Sequence, residues 1–166
     1  KNGPPVAAVI AVSGLGRPLT TVIREQLSRQ VDGATLVRYD SAMAQYLRGE
    51  QPKDVPPGLE VFFVPMNLRF MRSFAEFVPP AAMRAVRQPV LIVQGGRDLQ
   101  VTPRDAELLK SGRPDARLVI VPLANHVLKQ AAETTLAGQM PLYQNPASPI
   151  MPEVVNAIAD WILKAP

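Results

Sequence analysis

Three short apolar runs without charged residues predict the buried strands of a sheet. They cover Val6 to Val12, Val90 to Val93 and Leu118 to Val121. Branched side chains without polar alternation are typical of strands covered on both faces, as in parallel sheets. The pattern therefore predicts an α/β protein with three layers, built on a short parallel sheet of about three strands.

Between the first two strands, apolar residues recur three or four positions apart, which predicts amphipathic helices. One such stretch follows Leu19 and is closed by Gly33, a weaker one runs from Leu36 to Arg48, and a third runs from Phe62 to Phe77. The interval is far longer than a simple crossover between parallel strands requires. We interpret residues 17–86 as a helical insertion within a single domain of residues 1–166.

Helix signals also mark the second half of the chain. Thr102 and Pro103 are typical of a helix start, because threonine caps helices and proline suits the first turn, and Gly112 marks the end. Pro152 opens a final helix with an apolar face. From Gln130 to Pro149 the chain has several prolines and little periodicity, so we expect a long surface loop.

Composition limits the class of function. The chain has 166 residues, 47% hydrophobic and 19% charged, which is typical of a globular domain. Its net charge of +4 comes from scattered lysines and arginines and aromatics reach only 5%, so we expect no nucleic-acid partner. No apolar run approaches the roughly 18 residues of a membrane span, so we expect no membrane partner. Cysteine is absent and ligating residues do not cluster, so we expect neither a metal nor a cofactor.

An acid and the only histidine follow two of the predicted strands. Asp98 comes just past the second strand, and His126 comes just past the third. Neighbouring parallel strands lie about 5 Å apart, and their carboxyl ends share one rim of the sheet. We therefore expect the carboxylate of Asp98 to reach the imidazole of His126. The alternative is an aspartate with a structural role in a turn and a loop histidine without a role. Asp105 is interpreted as a solvated helix charge.

The order of these residues resembles the C-terminal part of the α/β-hydrolase fold. The stretch from Pro89 to Asp98 is similar to the family pattern P-V-L-x-x-x-G-x-x-D, and Asn125-His126 is similar to its later N-H. The resemblance implies that Asp98 is the acid and His126 the base of a Ser-Asp-His triad. It also implies that the insertion is a helical cap, or lid.

In such a cap, one apolar helix face looks onto a substrate pocket. We expect Phe70 and Phe74 to line that pocket, although phenylalanines at helical spacing are also typical of a core. The substrate implied by the resemblance is a small carboxylic ester or another acyl compound. Thioesterase, lactonase, peptidase and dehalogenase-like activities stay open.

The nucleophile motif of the family, G-x-S-x-G on a strand-to-helix turn, does not occur in the chain. We interpret the chain as the second half of a serine hydrolase, inactive alone, whose missing N-terminal half is its partner. Ser13 is a minor alternative nucleophile, but Ala11 and Leu15 replace the glycines that the motif requires. Gly14-Leu15-Gly16 is a weak signal for a phosphate site and more typical of a turn.

Two further expectations concern association and location. Without a nucleophile strand beside it, the strand from Val6 to Val12 exposes unpaired backbone groups, so we expect a homo-oligomer. The competing interpretation of the whole chain is a non-catalytic α/β module for binding or dimerisation. A truncated N-terminus would have removed any signal peptide, so both a cytoplasmic and a periplasmic or secreted location are compatible with the chain.

Overall fold

The computed structural model describes residues 6–164, and these contain three strands and seven α-helices. The strands are β1 (Val9–Val12), β2 (Val90–Gly95) and β3 (Arg117–Val121). The helices are α1 (Leu19–Leu27), α2 (Gly33–Arg48), α3 (Leu68–Glu76), α4 (Pro79–Ala85), α5 (Pro103–Gly112), α6 (Leu136–Gln144) and α7 (Pro152–Lys164). None of the helices within residues 6–164 has the length and apolar character needed to cross a membrane.

The strands form one parallel sheet in the order β1-β2-β3, which confirms the predicted class. Val9 pairs with Val90 and Gly95 pairs with Val121, so β2 is the central strand. The first strand starts at Val9 rather than Val6, because the first bond along this side of the sheet runs from the amide of Val9 to the carbonyl of Pro89, the residue before β2. Among the described residues, 6–8 precede the first pair of the register, Val9 with Val90.

Alternating residues of β2 build a core on each face of the sheet. Val90 and Ile92 pack among residues of α4 and α5, while Leu91 and Val93 pack against α7. All four side chains are buried, and each such burial contributes roughly 1.5–3 kcal/mol. The predicted three layers therefore follow from a strand that is apolar on both sides.

Contacts divide the chain into two compact units. One unit combines the chain up to Arg17 with the chain from Val78 onward, and contains the sheet and α4 to α7. The other is Pro18–Phe77, a narrower range than the predicted insertion of residues 17–86. Its own core is rich in aromatic and methionine side chains, among them Tyr39, Tyr46, Phe63 and Met71.

Three helix predictions in the Pro18–Phe77 unit were wrong in their limits. Helix α1 ends at Leu27, and Gly33 begins α2, because the carboxylate of Asp32 accepts the amide hydrogen of Thr35 at 2.7 Å and caps the helix there. The helix predicted from Phe62 is broken into two short 3₁₀ turns followed by α3. Pro65 explains the break, because proline forces the preceding residue into an extended conformation.

The loop predicted from Gln130 to Pro149 was also wrong, since it contains α6. The hydroxyl of Thr135 accepts the amide hydrogen of Gly138 at 3.2 Å and caps the helix. The buried amide of Gln139 then donates to the carbonyls of Arg97 (3.0 Å) and Glu133 (2.9 Å). Because this helix is held by polar bonds and not by an apolar stripe, periodicity did not reveal it.

Candidate active site

Two glycines at the end of β2 allow the loops after β2 and β3 to touch. A Cβ atom on Gly95 would lie 2.4 Å from the carbonyl oxygen of Ala124, and one on Gly96 would lie 2.6 Å from that of Pro122. The amide of Arg97 donates to the Ala124 carbonyl at 2.9 Å across the same contact. The glycine pair therefore brings the acid-bearing turn against the histidine-bearing loop.

The carboxylate of Asp98 is fully buried and accepts hydrogen bonds on both oxygens. Oδ1 accepts from the backbone amides of Gln100 and Val101, each at 2.9 Å. Oδ2 accepts from the side-chain amide of Gln94 at 3.0 Å and lies 2.9 Å from Nδ1 of His126. Since a carboxylate offers about four acceptor positions, Asp98 is saturated. The expected approach of Asp98 to His126 is thus present as a direct contact.

The loop that carries His126 is shaped by the residue before it. Asn125 is buried, and its side-chain oxygen accepts the backbone amides of Val127 (3.1 Å) and Lys129 (3.0 Å). The backbone amide of Asn125 donates to the carbonyl of Lys129 at 2.9 Å, and Leu128 has a positive φ of 63°. This closed turn fixes the backbone from which the imidazole projects.

The arrangement leaves the imidazole able to exchange a proton. The side chain of His126 is 29% exposed, whereas that of Asp98 is 0% exposed. A carboxylate at Nδ1 holds the tautomer in which that nitrogen carries the hydrogen, so Nε2 keeps a basic lone pair. Within residues 6–164, Nε2 has no hydrogen-bond partner. A buried acid, an oriented imidazole and an open Nε2 are the elements of a general base.

The two predicted pocket residues lie in the other unit. Phe70 and Phe74 are on α3, with ring centroids 4.5 Å apart, and Phe70 is 52% exposed. They pack on each other as helical neighbours do. Their role in a pocket stays a prediction.

Ser13 directly follows β1 and has a φ of 46°, which is unusual for a residue with a side chain. Its amide donates to the carbonyl of Val93 at 3.0 Å. Its hydroxyl is buried and has no hydrogen-bond partner in the described part of the chain. No serine–histidine contact therefore supports Ser13 as a nucleophile.

Asp105 was wrongly interpreted as solvated, because it is fully buried at the start of α5. Its carboxylate accepts from Nε and Nη2 of Arg17 at 2.9 and 2.8 Å, and from the amide of Gly16 at 3.2 Å. Burial raises the pKa of Asp105, but the bonds from Arg17, Thr102 and Gly16 outweigh it and hold the pKa below its ordinary value. The spacing Thr102 to Asp105 is the one available signal, since it matches a capping box.

Gln94 and Asn125 are further polar residues of the site that the motifs did not single out. Both are buried. Gln94 donates to the Asp98 carboxylate and to the Val101 carbonyl, and Asn125 accepts the backbone amide of Lys129 in the loop of His126. A glutamine at the end of an apolar strand was the available signal, because a buried amide must find partners. Across residues 6–164, no cluster of three or more His, Cys, Asp or Glu side chains is placed to hold a metal ion.

Sequence comparison relates the chain to an esterase. The chain is 25% identical over 162 residues to esterase EstD of Thermotoga maritima, a match that covers 94% of the chain and 37% of the esterase. The chain thus spans little more than a third of this curated relative. No family model matches the chain.

Structural comparison aligns the chain with parts of two solved structures. One is a protein assigned as the non-heme bromoperoxidase BpoC of Mycobacterium tuberculosis H37Rv, at 15% identity, with 97% of the chain and 59% of that protein covered and a TM-score of 0.48. The other is a hydrolase of Pseudomonas aeruginosa PA01, at 19% identity, with 71% and 48% covered and a TM-score of 0.36.

The class of protein follows from the esterase match and the topology together. A parallel sheet lies between helical layers, an acid follows the middle strand, and a histidine follows the next one. The chain is α/β-hydrolase-like and has a partial α/β-hydrolase fold.

Proposed function

We propose that this chain supplies the acid and the base of a Ser-Asp-His triad in an esterase-like serine hydrolase. Asp98 is the acid, and His126 is the base. The observation that carries the proposal is the 2.9 Å contact between a buried carboxylate and Nδ1 of a partly exposed imidazole. The similarity to an esterase over 94% of the chain supports the reaction class.

In this proposal, Nε2 of His126 accepts the proton of a serine hydroxyl as the serine attacks the ester carbonyl. The same nitrogen then returns the proton to the departing alcohol. The carboxylate of Asp98 stabilises the imidazolium during both proton transfers through its negative charge, and it is not protonated itself. A small-molecule carboxylic ester or acyl compound is the substrate.

The serine itself is assigned to a part of the protein outside these 166 residues. The absence of G-x-S-x-G from the chain and its coverage of only 37% of the esterase support this assignment. The chain alone then lacks a path through an acyl-enzyme and does not turn over esters.

Kinetics of the protein that contains this chain, with a p-nitrophenyl ester as substrate, tests the proposal. His126→Gln and Asp98→Asn are each expected to lower kcat by about 10³–10⁴-fold, because the proton acceptor or its correct tautomer is lost. Asp160→Asn is the matched control, since that aspartate is exposed and pairs with Lys164 on α7. Equal activity of Asp98→Asn and Asp160→Asn would refute the triad.

The unit Pro18–Phe77 is assigned as the cap, with Phe70 and Phe74 facing the acyl chain of the substrate. Its separate core and its exposed Phe70 ring support this role. Phe70→Ala is expected to raise KM for a long-chain ester more than for an acetate. Val37→Ala, at an exposed apolar position on α2 of the same unit, is the control.

The second candidate function is a binding or dimerisation module, and one observation favours it. Among the described strands, β1 pairs only with β2, so its outer edge offers unpaired backbone groups to another strand. For the isolated chain we propose a homo-oligomer through this edge. Sedimentation equilibrium decides the point: a monomer at micromolar concentration would contradict it.

A further inference from the structure

A single polar side chain interrupts the apolar central strand at its carboxyl end. Gln94 follows four buried apolar residues of β2 and is itself fully buried. Its Nε2 lies 3.0 Å from Oδ2 of Asp98, 2.8 Å from the carbonyl oxygen of Val101 and 3.2 Å from that of Gly95, so its two hydrogens are shared among three acceptors. A buried polar group is costly unless it is bonded; Nε2 of Gln94 meets this requirement, whereas Oε1 has no hydrogen-bond partner among the described residues.

We propose that Gln94 is a positioning residue whose amide holds the Asp98 carboxylate in the orientation that presents Oδ2 to Nδ1 of His126. The proposal rests on the function assigned above, in which this contact orients the general base. Gln94 is fully buried and its amide bonds the Asp98 carboxylate, so in this proposal it acts through Asp98.

The division of donors between the two carboxylate oxygens supports this role. Oδ1 is held by two backbone amides, those of Gln100 and Val101, which form a pivot. Among the described residues, Oδ2 is bonded by only two side chains, those of Gln94 and His126. Without Gln94, the imidazole alone would fix the position of Oδ2, and the carboxylate would be free to turn about its pivot.

The orientation of the amide is set by its neighbours. A reversed amide would place the oxygen of Gln94 against Oδ2 of Asp98 and the carbonyl of Val101, so that acceptors would face acceptors. In the observed orientation, Nε2 lies within hydrogen-bond distance of the Gly95 carbonyl at the end of β2, the Asp98 carboxylate, and the Val101 carbonyl at the end of the turn. The side-chain amide of Gln94 therefore stabilises the turn from Gly95 to Val101 and also orients the carboxylate of Asp98.

A glutamine with a purely structural role would stabilise the turn without affecting the imidazole. The structural and positioning roles therefore predict different effects of a Gln94 substitution on the tautomer of His126. His126 is the only histidine in the chain, so the ring-nitrogen signals of the ¹⁵N-labelled chain belong to it. Its tautomer is read at a pH at which the imidazole is neutral. The wild-type chain is expected to hold the hydrogen on Nδ1. In Gln94→Met, which keeps the length of the side chain without polar atoms, the population is expected to shift toward the Nε2–H form that free histidine favours in water.

Two variants make the test decisive. Gln94→Asn keeps an amide but withdraws it by one methylene, and it is expected to shift the tautomer even if Gln94→Met does not fold. Gln100→Met is the matched control, because the side-chain amide of Gln100 donates to the hydroxyl of Tyr143 at 3.1 Å while its backbone amide still bonds Asp98. An unchanged Nδ1–H tautomer in the folded Gln94 variants would overturn the proposal.

Ester hydrolysis by the protein that contains this chain separates this proposal from the proposed function. Gln94→Met is expected to lower kcat between about 10-fold and 10²-fold with KM unchanged, as a small misplacement of a catalytic group does. Hydrolysis that depends on Asp98 and His126 but not on Gln94 would overturn the positioning role and leave the function standing. A tautomer shift in a protein without any hydrolysis would support the positioning role and refute the function.

Discussion

Two buried aspartates stand on either side of the turn that leads into α5, and they differ in their partners. Asp105 faces the guanidinium of Arg17, which is always charged, and the pair is a fixed ion bridge. Asp98 faces Nδ1 of the His126 imidazole at 2.9 Å, and that side chain is 29% exposed. The two carboxylates are alike in burial, and each accepts hydrogen bonds on both oxygens, so the difference lies in their partners: a guanidinium at Asp105, and at Asp98 the imidazole that we propose as a general base.

The comparison predicts a large stability loss at the Asp105 site. Arg17→Met leaves a buried, uncompensated carboxylate, which is expected to cost about 3–5 kcal/mol. Urea unfolding followed by circular dichroism measures the change in the free energy of unfolding. Arg48→Met is the control, because Arg48 pairs with Glu50 on the exposed surface and such pairs contribute about 0–1 kcal/mol. Equal losses in the two variants would show that Asp105 and Arg17 do not form a buried structural pair.

A smaller loss of folding stability is expected from a substitution where the loops after β2 and β3 touch. In Gly95→Ala the new Cβ atom meets the Ala124 carbonyl, and forcing the loops apart is expected to cost about 1–3 kcal/mol. Gly33→Ala is the matched control, since no atom lies within 4 Å of its Cβ position, and it is expected to be neutral or stabilising by up to about 1 kcal/mol. A Gly95→Ala variant as stable as Gly33→Ala would contradict the close approach of the loops.

The parts that could be predicted from the sequence depend on local patterns. Branched apolar runs predicted the three strands, because a strand buried on both faces cannot carry polar residues. The glycine pair before Asp98 predicted that this acid follows a strand end. The pair Thr102 and Pro103 predicted the start of α5. These signals lie within a few residues of the feature that they predict.

The parts that could not be predicted depend on partners far apart in the chain. Asp105 looked solvated because Arg17, which neutralises it, lies 88 residues away. Helix α6 was hidden because Gln139 binds the carbonyl of Arg97 and not an apolar core. Gln94 appeared as one polar residue at a strand end, and only its contact with Asp98 indicates a role.

The smallest expected effect is a difference in acid sensitivity. The pKa of Asp105 is lowered in the folded state, so between that pKa and the ordinary value of about 3.9 the unfolded chain binds more protons. Stability from this site is therefore fully present above about pH 4 and is lost as the pH falls through the folded pKa. Urea unfolding from pH 6 downward is expected to show a shallower acid loss in Asp105→Asn than in the wild-type chain. Parallel curves would contradict the charge pairing with Arg17.

The most direct test of the central claim asks whether His126 activates a serine elsewhere in the protein. A fluorophosphonate reacts with such a serine, and peptide mass spectrometry of the labelled protein that contains this chain locates it. We expect one labelled serine outside the 166 residues, and a much slower labelling rate in His126→Gln. Stoichiometric labelling of Ser13 would contradict the placement of the nucleophile outside these residues, and a labelling rate that His126→Gln leaves unchanged would contradict the assignment of His126 as the base.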